Sequence, residues 1–204
     1  MSVLILVLSS HVPPYGKLHE GQRRTWDSLA VPDVETQFYF CETWDTYTPF
    51  RPALDEALRK SWTHLFRTNS SSYVDKRMLL EFAAGMPTER CYCGISGHFH
   101  GIPYTSGSGM LLSRDAVQNI RAALDRPIDL PGECEDVFMG KALHAAGVAV
   151  TPGAQRFDYW GSERRGPLPD VYHYRCKGVG PNGSRRDLEA FADIHRMKLA
   201  KVGR

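Results

Sequence analysis

Two adjacent carboxylates, Glu135 and Asp136, stand directly ahead of an apolar series, Val137, Phe138, Met139, Ala142, Leu143, Ala145 and Ala146, that closes on Gly147. The spacing predicts a helix with both acids in its first turn, where unpaired backbone amides and the positive end of the helix dipole favour negative charge. Complementing that dipole is one use for such a pair. Binding is another: on a 3.6-residue period Asp136, Gly140 and His144 share one stripe, and the glycine is expected to leave open space beside the Asp136 carboxylate for a ligand.

Basic residues form a second group. Val171 to Lys177 alternates as a strand does, which puts His173, Arg175 and Lys177 on one face, and Arg185 and Arg186 open the last helical pattern. A solvated surface would look the same. Cys91 and Cys93 with His98 and His100 are metal-ligating types, but a one-residue spacing between the thiols suits a structural zinc site poorly. Ser108 lies among glycines at the wrong spacing for a nucleophile elbow, so no Ser-His-Asp mechanism follows from it.

The elements that would carry these groups alternate between strand and helix. Val3 to Leu8 is a continuous apolar run, expected to be a central strand covered on both faces. Ser9 and Ser10 follow as a polar loop at its carboxyl end, the edge where open α/β sheets bind ligands. A helix is predicted from Lys17, carrying Arg23 and Arg24 and stopped by Pro32. Val34 to Cys41 reads as a second strand, Thr48 to Pro52 as a loop and Ala53 to Trp62 as a short helix. His64 to Thr68 is a third strand running into Asn69, Ser70 and Ser71, and Val74 to Ala84 a helix with Asp75 as its cap. Ser106 to Gly109 reads as a flexible turn feeding a short strand, Met110 to Leu112, after which Ser113 caps a helix. Val148 to Thr151 is a further strand. This order argues for one α/β domain over residues 1–204: a three-layer, Rossmann-like arrangement with a mixed, mostly parallel central sheet.

Composition is that of an ordinary globular protein: 204 residues, 42% hydrophobic and 24% charged, with a formal net charge of +2 that gives no reason to invoke nucleic acid. The five cysteines are an odd number without a signal-like segment, which favours a reducing, cytoplasmic setting over a disulfide scaffold. No apolar run is long enough to cross a bilayer, so any membrane contact would be peripheral.

Three segments, in this order, resemble the inverting β1,3-galactosyltransferase and fringe-like glycosyltransferases. Arg23-Arg24-Thr25-Trp26 is similar to their early Arg-x-Thr-Trp helix motif. Tyr104 to Asp115 resembles their Tyr…Ser-Gly-Gly-Gly-Tyr-x-Leu-Ser-Arg-Asp stretch, and Glu135-Asp136-Val137-Phe138-Met139-Gly140 their Glu-Asp-Val-x-x-Gly helix. The resemblance implies a GT-A fold and transfer of a hexose, with inversion, from a nucleotide-diphosphate sugar (a UDP-sugar foremost) to a hydroxyl of a glycan acceptor. It implies Asp136 as general base, with Glu135 in support, and Gly107, Ser108 and Gly109 lining the acceptor and sugar site. Trp160 is a further candidate for stacking on a sugar. Arg-Thr-Asn-x-Ser-Ser, with His-x-Arg-x-Lys further on, is also similar to stretches of some viral and bacterial glycosyltransferases.

One departure bears on chemistry. The family's Asp-Asp-Asp metal motif follows a Lys/Arg-Thr pair at the end of the third strand; here Arg67-Thr68 leads into Asn69-Ser70-Ser71. Hard divalent cations want anionic oxygens, so the expectation is no essential metal, with Mn²⁺ or Mg²⁺ at most weakly held. The departing diphosphate would then rest on His173, Arg175, Lys177 and Arg185, with Ser9, Ser10, Arg23, Asn69, Ser70 and Ser71 as further donor contacts. The alternatives are an Mn²⁺-assisted version of the same transfer and a non-catalytic module that keeps nucleotide-sugar or glycan affinity.

Overall fold

The structure, a computed structural model, describes residues 1–13, 15–41, 47–125, 134–159, 167–178 and 185–202. In chain order its elements are β1 (Val3–Ser10), α1 (Leu18–Arg24), β2 (Val34–Cys41), α2 (Tyr47–Leu58), β3 (His64–Asn69), β4 (Ser72–Val74), α3 (Lys76–Ala84), β5 (Tyr92–Phe99), β6 (Ile102–Ser113), α4 (Arg114–Ala123), α5 (Glu135–Ala145), β7 (Arg156–Asp158), β8 (His173–Arg175) and α6 (Asp187–Val202). The chain is α/β. A five-stranded sheet runs β2-β1-β3-β6-β5, and a smaller one β4-β8-β7.

The apolar run of β1 is central, as its continuity predicts: Val3, Ile5 and Val7 enter one core and Leu4 and Leu6 the other. The first core holds Trp26, Leu79 of α3 and Phe191 and Ile194 of α6. The second holds Phe50 and Leu54 of α2, Val117 and Ile120 of α4, and Met139 and Leu143 of α5. Helices therefore cover both faces of the five-stranded sheet. Among the described residues none of these helices is long and apolar enough to cross a membrane.

The sheet is mixed rather than mostly parallel. β1 pairs parallel with β2 and β3, but β6 runs antiparallel to β3 and β5 antiparallel to β6. The reason is local: β5 and β6 are joined not by a crossover helix but by a tight turn at His100 and Gly101, both at positive φ (49° and 80°), the backbone that two-residue hairpins require. β6 then continues for 12 residues. Ser106 to Gly109 thus lies within the strand rather than at its start, but as a bulge, because β5 pairs on either side of it, Ser96 with Thr105 and Gly94 with Met110.

Other boundaries moved for similar reasons. α2 begins at Tyr47 and contains Pro52; burial of Phe50, Ala53, Leu54 and Ala57 against the sheet outweighs the one backbone bond a proline removes. Ser72–Val74 is a strand before α3, which starts after Asp75, whose Oδ1 caps it by accepting from the Met78 N–H at 3.1 Å. Val148 to Thr151 supplies only a single bridge, from Thr151 to Cys93. The Ser113 hydroxyl, at the start of α4, makes no cap; it donates to Asp115 Oδ1 at 2.6 Å. No cysteine is disulfide-bonded.

Candidate functional site

A cavity of about 450 Å³ opens at the carboxyl ends of β1 and β3, the edge where parallel strands of an α/β sheet leave a crevice. Ser9 and Ser10 from β1, Asn69, Ser70 and Ser71 from the β3–β4 turn, Ser106, Gly107 and Ser108 from β6, and Cys134, Glu135 and Asp136 from the start of α5 all line it. Arg67, Arg175 and Lys177 supply positive charge to the same walls, and Tyr15 and Cys41 close the far end.

The wall built by β6 and α5 is acidic and rigidly held. Asp136 accepts from the Gly107 N–H through Oδ2 at 3.1 Å and from the Val137 N–H through Oδ1 at 3.0 Å. Among the described residues no cation pairs with it. Glu135, by contrast, is buried, 3% exposed, and its carboxylate is taken by Arg67 at 2.5 Å. The two acids therefore differ in kind: one is structural, the other faces the cavity with its charge unspent. Gly107 is needed where these groups meet, because a Cβ there would lie 3.0 Å from Arg67 Nη1 and 3.4 Å from Asp136 Cβ.

Gly140 does not leave the open space its helical stripe predicts. A Cβ at that position would lie 2.5 Å from Tyr104 Cβ and 2.9 Å from the Pro103 carbonyl. Its absence lets α5 press against β6, so the glycine positions Asp136 instead of making room for a ligand. Gly109 likewise is not on the cavity: it faces the His173 ring, whose Cε1 would be 2.5 Å from any Cβ.

The opposite wall, the β3–β4 turn, carries neutral groups. Asn69 Oδ1 accepts from the Ser71 N–H at 3.0 Å, a side-chain turn typical of asparagine. The turn is gripped from behind. Gln22 donates to the carbonyls of Asn69 (3.1 Å) and Ser72 (2.9 Å), and Trp26 donates to Ser72 at 3.0 Å. The Arg-x-Thr-Trp segment thus acts through its buried tryptophan. Arg23 is exposed, lies over the Phe38 ring at 4.9 Å and does not reach the cavity.

Of the basic candidates, Arg175 and Lys177 line the site; His173 and Arg185 do not. His173 is buried, bonded to Ser72 Oγ at 3.0 Å and edge-on to Phe66. Burial, with the Arg156 and Arg175 charges nearby, pushes its ring down to about 3, so it is neutral and offers no charge to a ligand. Arg185 donates to Ser71 Oγ at 2.7 Å while its guanidinium is held by Asp187 at 2.6 Å. It braces the wall rather than facing the cavity. Trp160 lies outside the described residues.

Arg67 escaped the sequence reading. It is 4% exposed, and its Nε and Nη1 are buried without a hydrogen-bond partner among the described residues. One signal was present: a lone arginine inside an apolar strand must find a buried partner. Ser106, inside the Tyr104 to Asp115 stretch, and Cys134 are also cavity residues, to which the motifs assigned no role.

Among the described residues no group of three or more His, Cys, Asp or Glu side chains could hold a metal ion. At the end of β3, Asn69 Oδ1 is already engaged and the His173 Nε2 is bound to Ser72.

No family model and no curated protein matches the chain. Among solved structures it is similar to "Crystal Structure of A197 from STIV", at 14% identity and a TM-score of 0.41, over 71% of this chain and 78% of that one.

Proposed function

We propose that the protein is an inverting glycosyltransferase of GT-A type that moves a hexose from a nucleotide-diphosphate sugar, a UDP-sugar foremost, to a hydroxyl of a glycan acceptor. The observation that carries this reading is Asp136: a cavity-lining carboxylate held by the Gly107 N–H, with no cation paired to it among the described residues, in the same cavity as Arg67, Arg175 and Lys177. Inversion needs one base. The acceptor hydroxyl gives its proton to Asp136 as its oxygen attacks the anomeric carbon, and the bond to the diphosphate breaks on the opposite face. The leaving group needs its developing charge met more than it needs a proton. Arg175 and Lys177 supply that charge where the turn at Asn69 to Ser71 has no carboxylates to recruit a metal.

The test is Asp136→Asn, assayed with UDP-sugars for transfer and, separately, for donor affinity. Turnover falls by about 10²-fold or more with near-normal donor binding; transfer at the wild-type rate with donor bound removes Asp136 as the base. A neutral β3–β4 turn is also what a non-catalytic nucleotide-sugar binder would carry, and wild-type protein that binds donor without any transfer or hydrolysis supports that reading instead. Activity persists in excess EDTA; complete loss restored by Mn²⁺ moves the diphosphate onto a metal.

A further inference from the structure

The hydroxyls of Ser106 and Ser108 lie 3.0 Å apart on the cavity wall, either side of the glycine that binds Asp136. Which of them donates follows from Arg156. A guanidinium only donates, and Arg156 Nη1 donates to Ser108 Oγ at 2.7 Å while its Nε is held by Asp158 at 2.9 Å. Ser108 is 4% exposed, so its own proton must find an acceptor inside the protein, and among the described residues that acceptor is Ser106 Oγ. The reverse arrangement would leave a buried O–H unmade, the more costly choice. Ser106 also receives the Ser108 N–H, at 3.4 Å. Its oxygen is thereby committed to accepting, and its proton has no acceptor among the described residues except what enters the cavity it lines.

We propose that Ser106 is an oriented hydrogen-bond donor which, with the acceptor-only Asp136 that lines the same cavity and is bonded to the next residue's N–H, forms a two-point site for a single neutral hydroxyl. The hydroxyl gives its proton toward Asp136 and receives that of Ser106 on a lone pair. The pairing is selective by chemistry: the diphosphate of a nucleotide sugar, a fully ionised diester, has no proton to give Asp136, and an ammonium has no lone pair for Ser106. Anionic groups are left to Arg175 and Lys177. Ser106 is the specificity-determining contact, and Ser108 and Arg156 are positioning residues that set the direction of its proton. The site rests on the transferase reading only in naming this hydroxyl as the acceptor's.

Binding tests it without turnover, so its outcome is separable from that of the Asp136→Asn transfer assay. The full chain, saturated with UDP, is titrated with methyl glucoside, methyl galactoside and methyl mannoside and with their monodeoxy analogues, by calorimetry and saturation-transfer NMR. At least one hexoside binds, and removing one of its hydroxyls weakens it about five- to tenfold. Ser106→Ala weakens the parent hexoside by the same factor and abolishes the difference between parent and deoxy analogue. Ser108→Ala stays within about twofold of wild type, because the Ser106 proton then has no competing acceptor. Arg156→Met behaves as Ser106→Ala although it touches no ligand, since Ser108 is then free to accept from Ser106; if that variant does not fold, the two serine variants decide. Wild-type affinity in Ser106→Ala, a greater loss in Ser108→Ala than in Ser106→Ala, or no hexoside bound by the wild type overturns the proposal.

Discussion

The two walls of the cavity are built to opposite plans. On the side of β6 and α5, charge is buried beneath the surface as the Arg67–Glu135 pair, and a further carboxylate, Asp136, is left facing the cavity. On the side of β3–β4 and β8 the surface groups are neutral, Asn69, Ser70 and Ser71, with cations at the rim. Of the two acids, the one bonded to a buried guanidinium is structural and the other is available to a ligand. Exposure separates the two acids as well, Glu135 being buried and Asp136 half-buried, although they are neighbours in one helical turn.

Breaking the buried pair should have the largest effect. Arg67→Met removes the guanidinium bonded to the buried Glu135 carboxylate and destabilises the fold by about 3–5 kcal/mol, read from urea unfolding. Arg67→Met with Glu135→Leu recovers most of that loss, since the buried carboxylate is removed together with its cation. Gly140→Ala attacks the same wall sterically. Its methyl meets the Pro103 carbonyl and Tyr104 and destabilises by about 1–3 kcal/mol, with transfer activity falling as α5 is levered away from β6. A gain in activity on opening this contact would mean the glycine limits space for substrate after all.

The neutral wall responds to acid instead. A histidine whose ring is lowered from 6.5 to about 3 in the fold takes up a proton more readily when unfolded. The unfolded state therefore binds the extra proton between those two values, and stability falls as pH drops through that window, by about 1.4 kcal/mol per unit at most. Unfolding of the wild type and of His173→Gln, compared from pH 7 to pH 4, should show the steeper acid dependence in the wild type. Equal slopes would remove His173 as its source. The smallest effect belongs to the rim. Arg175→Ala weakens UDP-sugar affinity several-fold, about 1 kcal/mol, more at low salt than at high salt; an unchanged affinity takes Arg175 out of the diphosphate contacts.

How far the sequence carried depended on whether a residue's role was set by its neighbours in the chain. The runs at Val3 and Val34 and the apolar series that follows Glu135 and Asp136 are local patterns, and they gave the parallel half of the sheet and the place of Asp136. Ser106 to Gly109 misled because serine and glycine signal turns, whereas here Gly107 yields to Arg67 and Asp136, and Gly109 to His173, contacts spanning tens of residues. His173 misled for the complementary reason. Strand alternation put it in register with Arg175, but alternation does not say which face is dry. Arg67 was missed because its partner, Glu135, lies 68 residues away.

The β3–β4 turn is fastened at its back by Gln22 and Trp26 and at its crown by Arg185. A stretch of asparagine and serines would ordinarily be a pliable segment that a ligand must first still, with a loss of affinity for every side chain it freezes. Here three side chains from distant parts of the chain have already done the stilling. The binding surface is set before anything arrives, so a variant such as Trp26→Phe, which stays aromatic but drops the indole N–H bonded to Ser72, would loosen a ligand's hold on the cavity from a position outside the cavity lining.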